Sequence, residues 1–230
     1  MSIKENILFL KDNIEKIKTE LGREKDNIRI LGVTKNQRVE KISELLCNGI
    51  KIFGENKIQE ALQKIPLLKD EFEEFHFIGV IQTNKLRKLL SLKPTLIHSV
   101  ERFKVADKIS KISSERGFVQ NILIQVNSSY EKTKSGVDPA ECKELVKKIS
   151  KLQNVKIVGL MTIGANSTDI LKIEHSFKIV QNLFNELRGY NNTNFKYLSM
   201  GMSHDYPLAI KCGANILRIG SGIFKKRNFG

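Results

Sequence analysis

Ile28-Arg29-Ile30-Leu31-Gly32-Val33-Thr34-Lys35 is a mainly apolar run that ends on an amine. Seven further apolar runs follow it, at Lys51 to Gly54, Phe75 to Gly79, Thr95 to Ser99, Asn121 to Asn127, Lys156 to Ile163, Phe195 to Met200 and Ile216 to Gly220, each leading into a turn of polar or small residues. The segments between them carry apolar residues at spacings of three and four, as in Val39, Ile42, Leu45 and Leu46, or Phe177, Val180, Leu183, Phe184 and Leu187, which is the period of a helix with one buried face. Strict strand–helix alternation predicts a parallel sheet covered by helices. Eight strands predict closure into an α/β (β/α)8 TIM barrel.

The 230 residues suit one such barrel, which takes roughly 200 to 400 residues, and no Pro/Gly/Ser-rich linker divides them. A single domain over residues 1–230 is therefore expected. Ahead of the first strand, Ile7, Leu10, Ile14, Ile17 and Leu21 form one stripe while Lys11, Asp12, Glu15, Lys16 and Lys18 lie elsewhere. That pattern predicts an extra amphipathic N-terminal helix rather than a signal peptide. No run is long enough to span a membrane. Cys47, Cys142 and Cys212 are odd in number, lack metal-ligand spacing and each falls in a predicted helix, so buried free thiols in a reducing cytoplasm are expected. A soluble, cytoplasmic monomer is the expectation.

Lys and Arg number 39 against 25 Asp and Glu, a net charge of +14, which raises the question of nucleic acid. The bases are spread over nearly every predicted helix, with Lys108, Lys111, Lys143, Lys147, Lys148 and Lys151 reading as solvated faces, and no basic motif is interleaved with aromatics. A small anionic ligand fits better than a nucleic acid.

In this architecture functional groups gather where strands end. Lys35 stands there after strand one, and an amine partly withdrawn from water at a strand mouth is a natural imine former. Strand seven runs into Ser199-Met200-Gly201-Met202-Ser203 and strand eight into Arg218-Ile219-Gly220-Ser221-Gly222. Small residues let backbone N–H groups approach an anion, and hydroxyls add donors, so two such loops side by side predict a phosphate cradle. An imine-forming lysine opposite a phosphate cradle suits pyridoxal 5′-phosphate (PLP), whose aldehyde and phosphate leave opposite sides of the ring. Arg218 is then placed to meet the ring nitrogen, and an arginine there weakens the ring as an electron sink.

Together, Val33-Thr34-Lys35, Phe53-Gly54-Glu55-Asn56, His76-Phe77-Ile78-Gly79, Gln82 with Asn84-Lys85, Ile97-His98-Ser99-Val100, Lys134-Ser135-Gly136, Gly159-Leu160-Met161-Thr162-Ile163-Gly164, Leu198-Ser199-Met200-Gly201-Met202-Ser203 and Arg218-Ile219-Gly220-Ser221 resemble the pyridoxal phosphate homeostasis proteins, the YggS/PROSC family. The ordered set is specific where each motif alone is weak. The resemblance implies a fold-type III barrel similar to the N-terminal barrel of alanine racemase. It implies Lys35 as the aldimine lysine, Arg218 at the pyridine nitrogen, Ser199, Gly220 and Ser221 among the phosphate ligands, and Asn56 in the pocket lining with no contact assigned. The chain departs from many members in having Gln37 where they have lysine, and Lys225 and Lys226 where they have small residues.

Several residues keep two readings. His76, in a strand among apolar neighbours, reads as structural before catalytic, and His98, at a strand end, is balanced between the two. Neither makes a metal site with the distant His175 or His204. Met200 and Met202 read as apolar walls. Lys134 is either a second charge drawing phosphate or a solvated loop lysine, and Glu55 either bonds within the site or caps the second helix.

Three functions fit the pattern. The first, which the resemblance implies, is a PLP-binding protein of vitamin B6 homeostasis that holds its cofactor as an aldimine without substantial catalysis, has no metal, and passes PLP to B6-dependent apoenzymes. The second is a racemase or other B6 enzyme. It needs an acid–base group on each face of the substrate carbon, and alanine racemase draws its second base from a further domain, whereas this sequence ends at Gly230, soon after strand eight. The third is a sugar-phosphate aldolase, whose imine lysine usually sits nearer mid-chain with carboxylates beside it. Colour separates the aldolase from the other two, since an internal aldimine is yellow and an aldolase colourless.

Overall fold

The computed structural model describes residues 2–131, 134–189 and 195–225. Eight parallel strands, β1 (Arg29–Val33), β2 (Ile52–Glu55), β3 (Glu74–Phe77), β4 (Leu96–Val100), β5 (Gln120–Gln125), β6 (Val155–Met161), β7 (Tyr197–Ser199) and β8 (Ile216–Ile219), pair in chain order. β8 returns to β1 in the register Arg29↔Ile216 to Gly32↔Ile219, and the barrel is closed. The helices are α1 (Ile3–Glu20), α2 (Val39–Cys47), α3 (Ile58–Lys64), α4 (Leu86–Ser91), α5 (Phe103–Glu115), α6 (Cys142–Ile149), α7 (Ile170–Gly189), α8 (Tyr206–Lys211) and α9 (Ser221–Phe224). The (β/α)8 expectation holds, as does the extra helix before β1. Among the described residues, no helix is long and apolar enough to cross a membrane.

Alternation along each strand sorts the side chains into two layers, since neighbours on a strand point to opposite faces. Phe53, Phe75, Phe77, Ile97, Leu198, Leu217 and Ile219 point outward into the large core between sheet and helices, where Phe53 packs edge-on against Phe72 with ring centroids 5.0 Å apart. Leu31, Leu96, Leu123, Val158, Met161 and Ile216 point inward and form a second, smaller apolar cluster. Helices meet the sheet through single stripes, such as Val105, Ala106, Ile109 and Ile112 of α5. α1 begins in a capping box, Ser2 accepting from the amide of Glu5 while the Glu5 carboxylate accepts from the amide of Ser2. Its buried Asn6 donates from Nδ2 to the carbonyl of Ile223 at 2.8 Å, which ties the extra helix to the segment that follows β8.

Two details of the thiols differ from the sequence reading. Cys47 is exposed, not buried, because it is the last residue of α2 and turns away from the core. Cys142 and Cys212 are buried and free, but Cys212 caps α8 instead of lying within it.

Candidate functional site

At the C-terminal mouth of the barrel a cavity of about 690 Å³ is lined by residues from the ends of β1, β2, β3, β6 and β8 and from the turn after β7. Lys35, Asn56, Arg218, Gly220 and Ser221 all line it, so five of the six residues singled out from sequence meet in one place. Ser203, His204 and Lys225 line it too; Lys226 lies outside the described residues.

Lys35 stands on a clamped turn. The residue before it, Thr34, donates from Oγ1 to Glu55 Oε1 at 2.7 Å, and its carbonyl accepts from Lys64 Nζ at 2.9 Å. The residue after it, Asn36, has φ +59° and donates its amide to Glu60 Oε2 at 2.9 Å. Lys64 joins both carboxylates, at 2.8 Å to Glu55 and 2.7 Å to Glu60. Glu55 is fully buried, and burial raises its pKa against the pull of Lys64 and Thr34. It therefore neither caps the second helix nor reaches the cavity wall; it anchors the strand end beneath Lys35. The Lys35 side chain itself is exposed, so the expected withdrawal from water is not provided by the protein surface alone.

On β8, the strand beside β1, Arg218 is buried although it belongs to the cavity wall. Its guanidinium donates to Ser199 Oγ at 2.8 Å and to the carbonyl of Thr162 at 2.8 Å. Burial pushes its pKa down to about 10, with Asp205 favouring the charge, which leaves it protonated at neutral pH. The Thr162 hydroxyl bridges Ser128 and the carbonyl of Val126, each at 2.9 Å, so the carbonyl that receives Arg218 is itself fixed.

The loops after β7 and β8 touch: Gly222 donates its amide to Ser203 Oγ at 2.9 Å. The turn after β7 passes through Gly201 at φ +91°, where an added Cβ would lie 2.6 Å from Ala209 Cβ; only glycine turns there without strain. Among the described residues, the backbone N–H groups of Ser203, Gly220 and Ser221 find no acceptor. Ser199 is placed differently from the cradle expected for it. Its hydroxyl is fully buried behind Arg218, and Ser203, on the same loop, takes its place at the cavity. Asn56 leaves its buried Oδ1 without a partner among the described residues, and Gly79 sits so close that a Cβ there would fall 1.9 Å from the Asn56 carbonyl oxygen.

An exposed primary amine, a buried guanidinium, unsatisfied amides on two joined loops and an orphaned amide oxygen suit a ligand with an aldehyde, a ring nitrogen and a phosphate. PLP fits this donor set. Lys134, in contrast, is a tether, since its Nζ bonds Glu131 at 2.7 Å and the carbonyl of Gly164 at 2.7 Å and does not line the cavity. His76 and His98 lie inside β3 and β4, not at their ends. Met202 borders the cavity, whereas Met200 is buried in the outer core. No cluster of His, Cys, Asp and Glu among the described residues is arranged to hold a metal.

Residues 8–228 match the family described as alanine racemase, N-terminal domain. The chain is 40% identical over 229 residues to the pyridoxal phosphate homeostasis protein of Aquifex aeolicus, covering all of both chains. It is 42% identical over 227 residues to that of Helicobacter pylori strain 26695, covering 98% of this chain and 100% of the relative. The chain belongs to the pyridoxal phosphate homeostasis protein family. Solved structures agree with this homeostasis-family membership. PipY of Synechococcus elongatus, in a structure with PLP bound, superposes with a TM-score of 0.83 at 29% identity over 97% of this chain and 100% of its own. A protein from Bifidobacterium adolescentis gives 0.91 at 32% identity, over 96% and 94%. Alanine racemase of Corynebacterium glutamicum, at 15% identity and a TM-score of 0.71, covers 99% of this chain and 62% of its own, and shares the fold.

The clamp beneath Lys35 escaped the sequence reading. Glu60 and Lys64 stand four apart on α3, a spacing that predicts an ion pair, but nothing in the order of residues says that the pair reaches back to Thr34 and Asn36.

Proposed function

We propose that this protein is a PLP-binding protein of vitamin B6 homeostasis that holds the cofactor covalently on Lys35, conducts no substantial turnover, and releases PLP to B6-dependent apoenzymes. The observation that carries the reading is the meeting of Lys35, Arg218 and the Ser203 and Gly220-Ser221 loops around one cavity of about 690 Å³. Lys35 would hold the cofactor at its aldehyde, through the amine at the end of β1. Ser203, Ser221 and the amides of Gly220 and Ser221 bind the phosphate. Arg218, on the cavity wall, would face the pyridine nitrogen.

When bound, PLP supplies a conjugated ring able to draw electrons from the carbon next to its imine nitrogen. Arg218 limits that use, because a guanidinium that stays protonated donates to the ring nitrogen and keeps it from gaining a proton. An exposed Lys35 in an open cavity leaves the imine accessible to water and incoming amines, which suits exchange. The aldolase reading lacks its carboxylate, since no Asp or Glu is among the described residues lining the cavity, and Glu55, beneath the Lys35 turn, is held by Lys64 and Thr34 below the surface.

Adding PLP to the purified protein should give a yellow species, and borohydride reduction with peptide mapping should place the pyridoxyl group on Lys35. A label found chiefly on another lysine overturns the assignment.

A further inference from the structure

The inside of a (β/α)8 barrel is ordinarily filled with branched apolar residues, yet here a file of polar side chains crosses it from one mouth to the other. At the N-terminal mouth Arg29 donates to Glu74 Oε1 at 2.5 Å. Glu74 Oε2 lies 2.8 Å from His76 Nε2, His76 Nδ1 lies 3.0 Å from His98 Nε2, and His98 Nδ1 lies 3.0 Å from Ser199 Oγ. Ser199 Oγ then accepts from Arg218. His76, His98, Ser199 and Arg218 are all buried, whereas Glu74 borders a separate cavity of about 380 Å³ at the N-terminal mouth.

The chemistry of the two ends settles the direction of every link. Glu74, flanked by Arg29 and His76, is held as a carboxylate, at a pKa of about 2, and a carboxylate only accepts. His76 must therefore donate from Nε2. Burial holds both imidazoles neutral, so His76 Nδ1 accepts from His98 Nε2–H, and His98 Nδ1 accepts from the Ser199 hydroxyl. The Ser199 lone pairs are left to receive Arg218. Four groups, Arg218, Ser199, His98 and His76, thus point their N–H and O–H bonds the same way, from a buried cation toward the Glu74 carboxylate on the far side of the barrel, and hydrogen bonds in such a file polarise one another.

We propose that Glu74, His76, His98 and Ser199 are positioning residues that hold Arg218 at the pyridine nitrogen of PLP, so that the electronic state of the bound cofactor is set in part from the opposite mouth of the barrel. The proposal rests on the PLP-binding reading above. It assigns to Ser199 an indirect role, through Arg218, in place of a phosphate contact, and to the two histidines a role that is neither catalytic nor merely apolar filling.

The test uses the full chain saturated with PLP, comparing wild type with Ser199→Ala, His98→Gln and Glu74→Gln, and with Arg87→Ala, which breaks an exposed ion pair to Glu115, as control. Visible absorption of the bound cofactor, its dissociation constant and the site of borohydride labelling are read together. Ser199→Ala and Glu74→Gln are expected to change the ratio of the cofactor's two absorption bands in the same direction, to weaken binding about threefold to tenfold, the scale of one displaced hydrogen bond, and to leave the label on Lys35. The control should match wild type. Unaltered spectra in both Ser199→Ala and Glu74→Gln at saturation overturn the relay while leaving PLP binding intact; absence of binding by wild type overturns the underlying reading instead. If His98→Gln does not fold, Glu74→Gln, at the half-buried mouth, still decides.

Discussion

Lys64 Nζ donates to the carbonyl of Thr34 at 2.9 Å while pairing with buried Glu55 at 2.8 Å, so the backbone one residue before Lys35 is fixed by an ion pair on its underside. Removing Lys64 leaves a fully buried carboxylate without its cation. Lys64→Ala should therefore cost about 3 kcal/mol or more in urea denaturation, and weaken PLP retention as the Lys35 turn loosens. Lys64→Met with Glu55→Leu should recover most of the stability but not the retention. Equal stability in wild type and Lys64→Ala would show that the pair is screened by solvent.

Ser203 and Ser221 carry the phosphate prediction. Each substitution to alanine should weaken PLP binding by about 1 to 3 kcal/mol, the range for a hydrogen bond to a charged group. Ser203→Ala should have the larger effect, because it also removes the acceptor of the Gly222 amide that joins the two loops. Equilibrium dialysis of PLP against both variants measures this, and affinities equal to wild type would move the phosphate elsewhere.

The two buried histidines predict a pH dependence. Their folded pKa values lie below the ordinary 6.5, so below that pH the unfolded chain takes up protons that the folded chain refuses. Their contribution is fully present above pH 6.5 and is lost as the pH falls. The unfolding free energy should fall as the pH drops below 6.5, by at most about 1.4 kcal/mol per pH unit for each histidine. His98→Gln should remove one of them. A flat profile in denaturant titrations across this range would mean that the imidazoles become charged inside the barrel.

Turnover distinguishes carrier from enzyme. The PLP-loaded protein should transfer cofactor to a B6-dependent apoenzyme, while racemisation and transamination of common amino acids stay well below about 1 s⁻¹, the lower end of ordinary enzyme rates. Chiral chromatography of amino acids incubated with the loaded protein checks the second half. Steady racemisation at or above that rate would replace the carrier reading, with His204 on the cavity rim the first base to substitute.

The sequence by itself determined the barrel, because strand alternation and helix periodicity are local properties: eight apolar runs, each ending within two residues of the bounds of an observed strand, follow from spacing alone. It also brought Lys35, Asn56, Arg218, Gly220 and Ser221 to one mouth, since parallel strands put all their C-terminal ends on the same side. What only the tertiary structure decided is which way side chains at a strand end face and which partner they meet. Ser199 looks like a phosphate ligand in its loop motif, but the period-two alternation of β7 turns it into the barrel, where His98 from β4 and Arg218 from β8 hold it. His76 and Glu74 are two apart on one strand and so share a face, yet their connection to Arg218 requires four strands to close around a common axis. That closure places residues more than a hundred positions apart at 3.0 Å, a distance that no local pattern encodes.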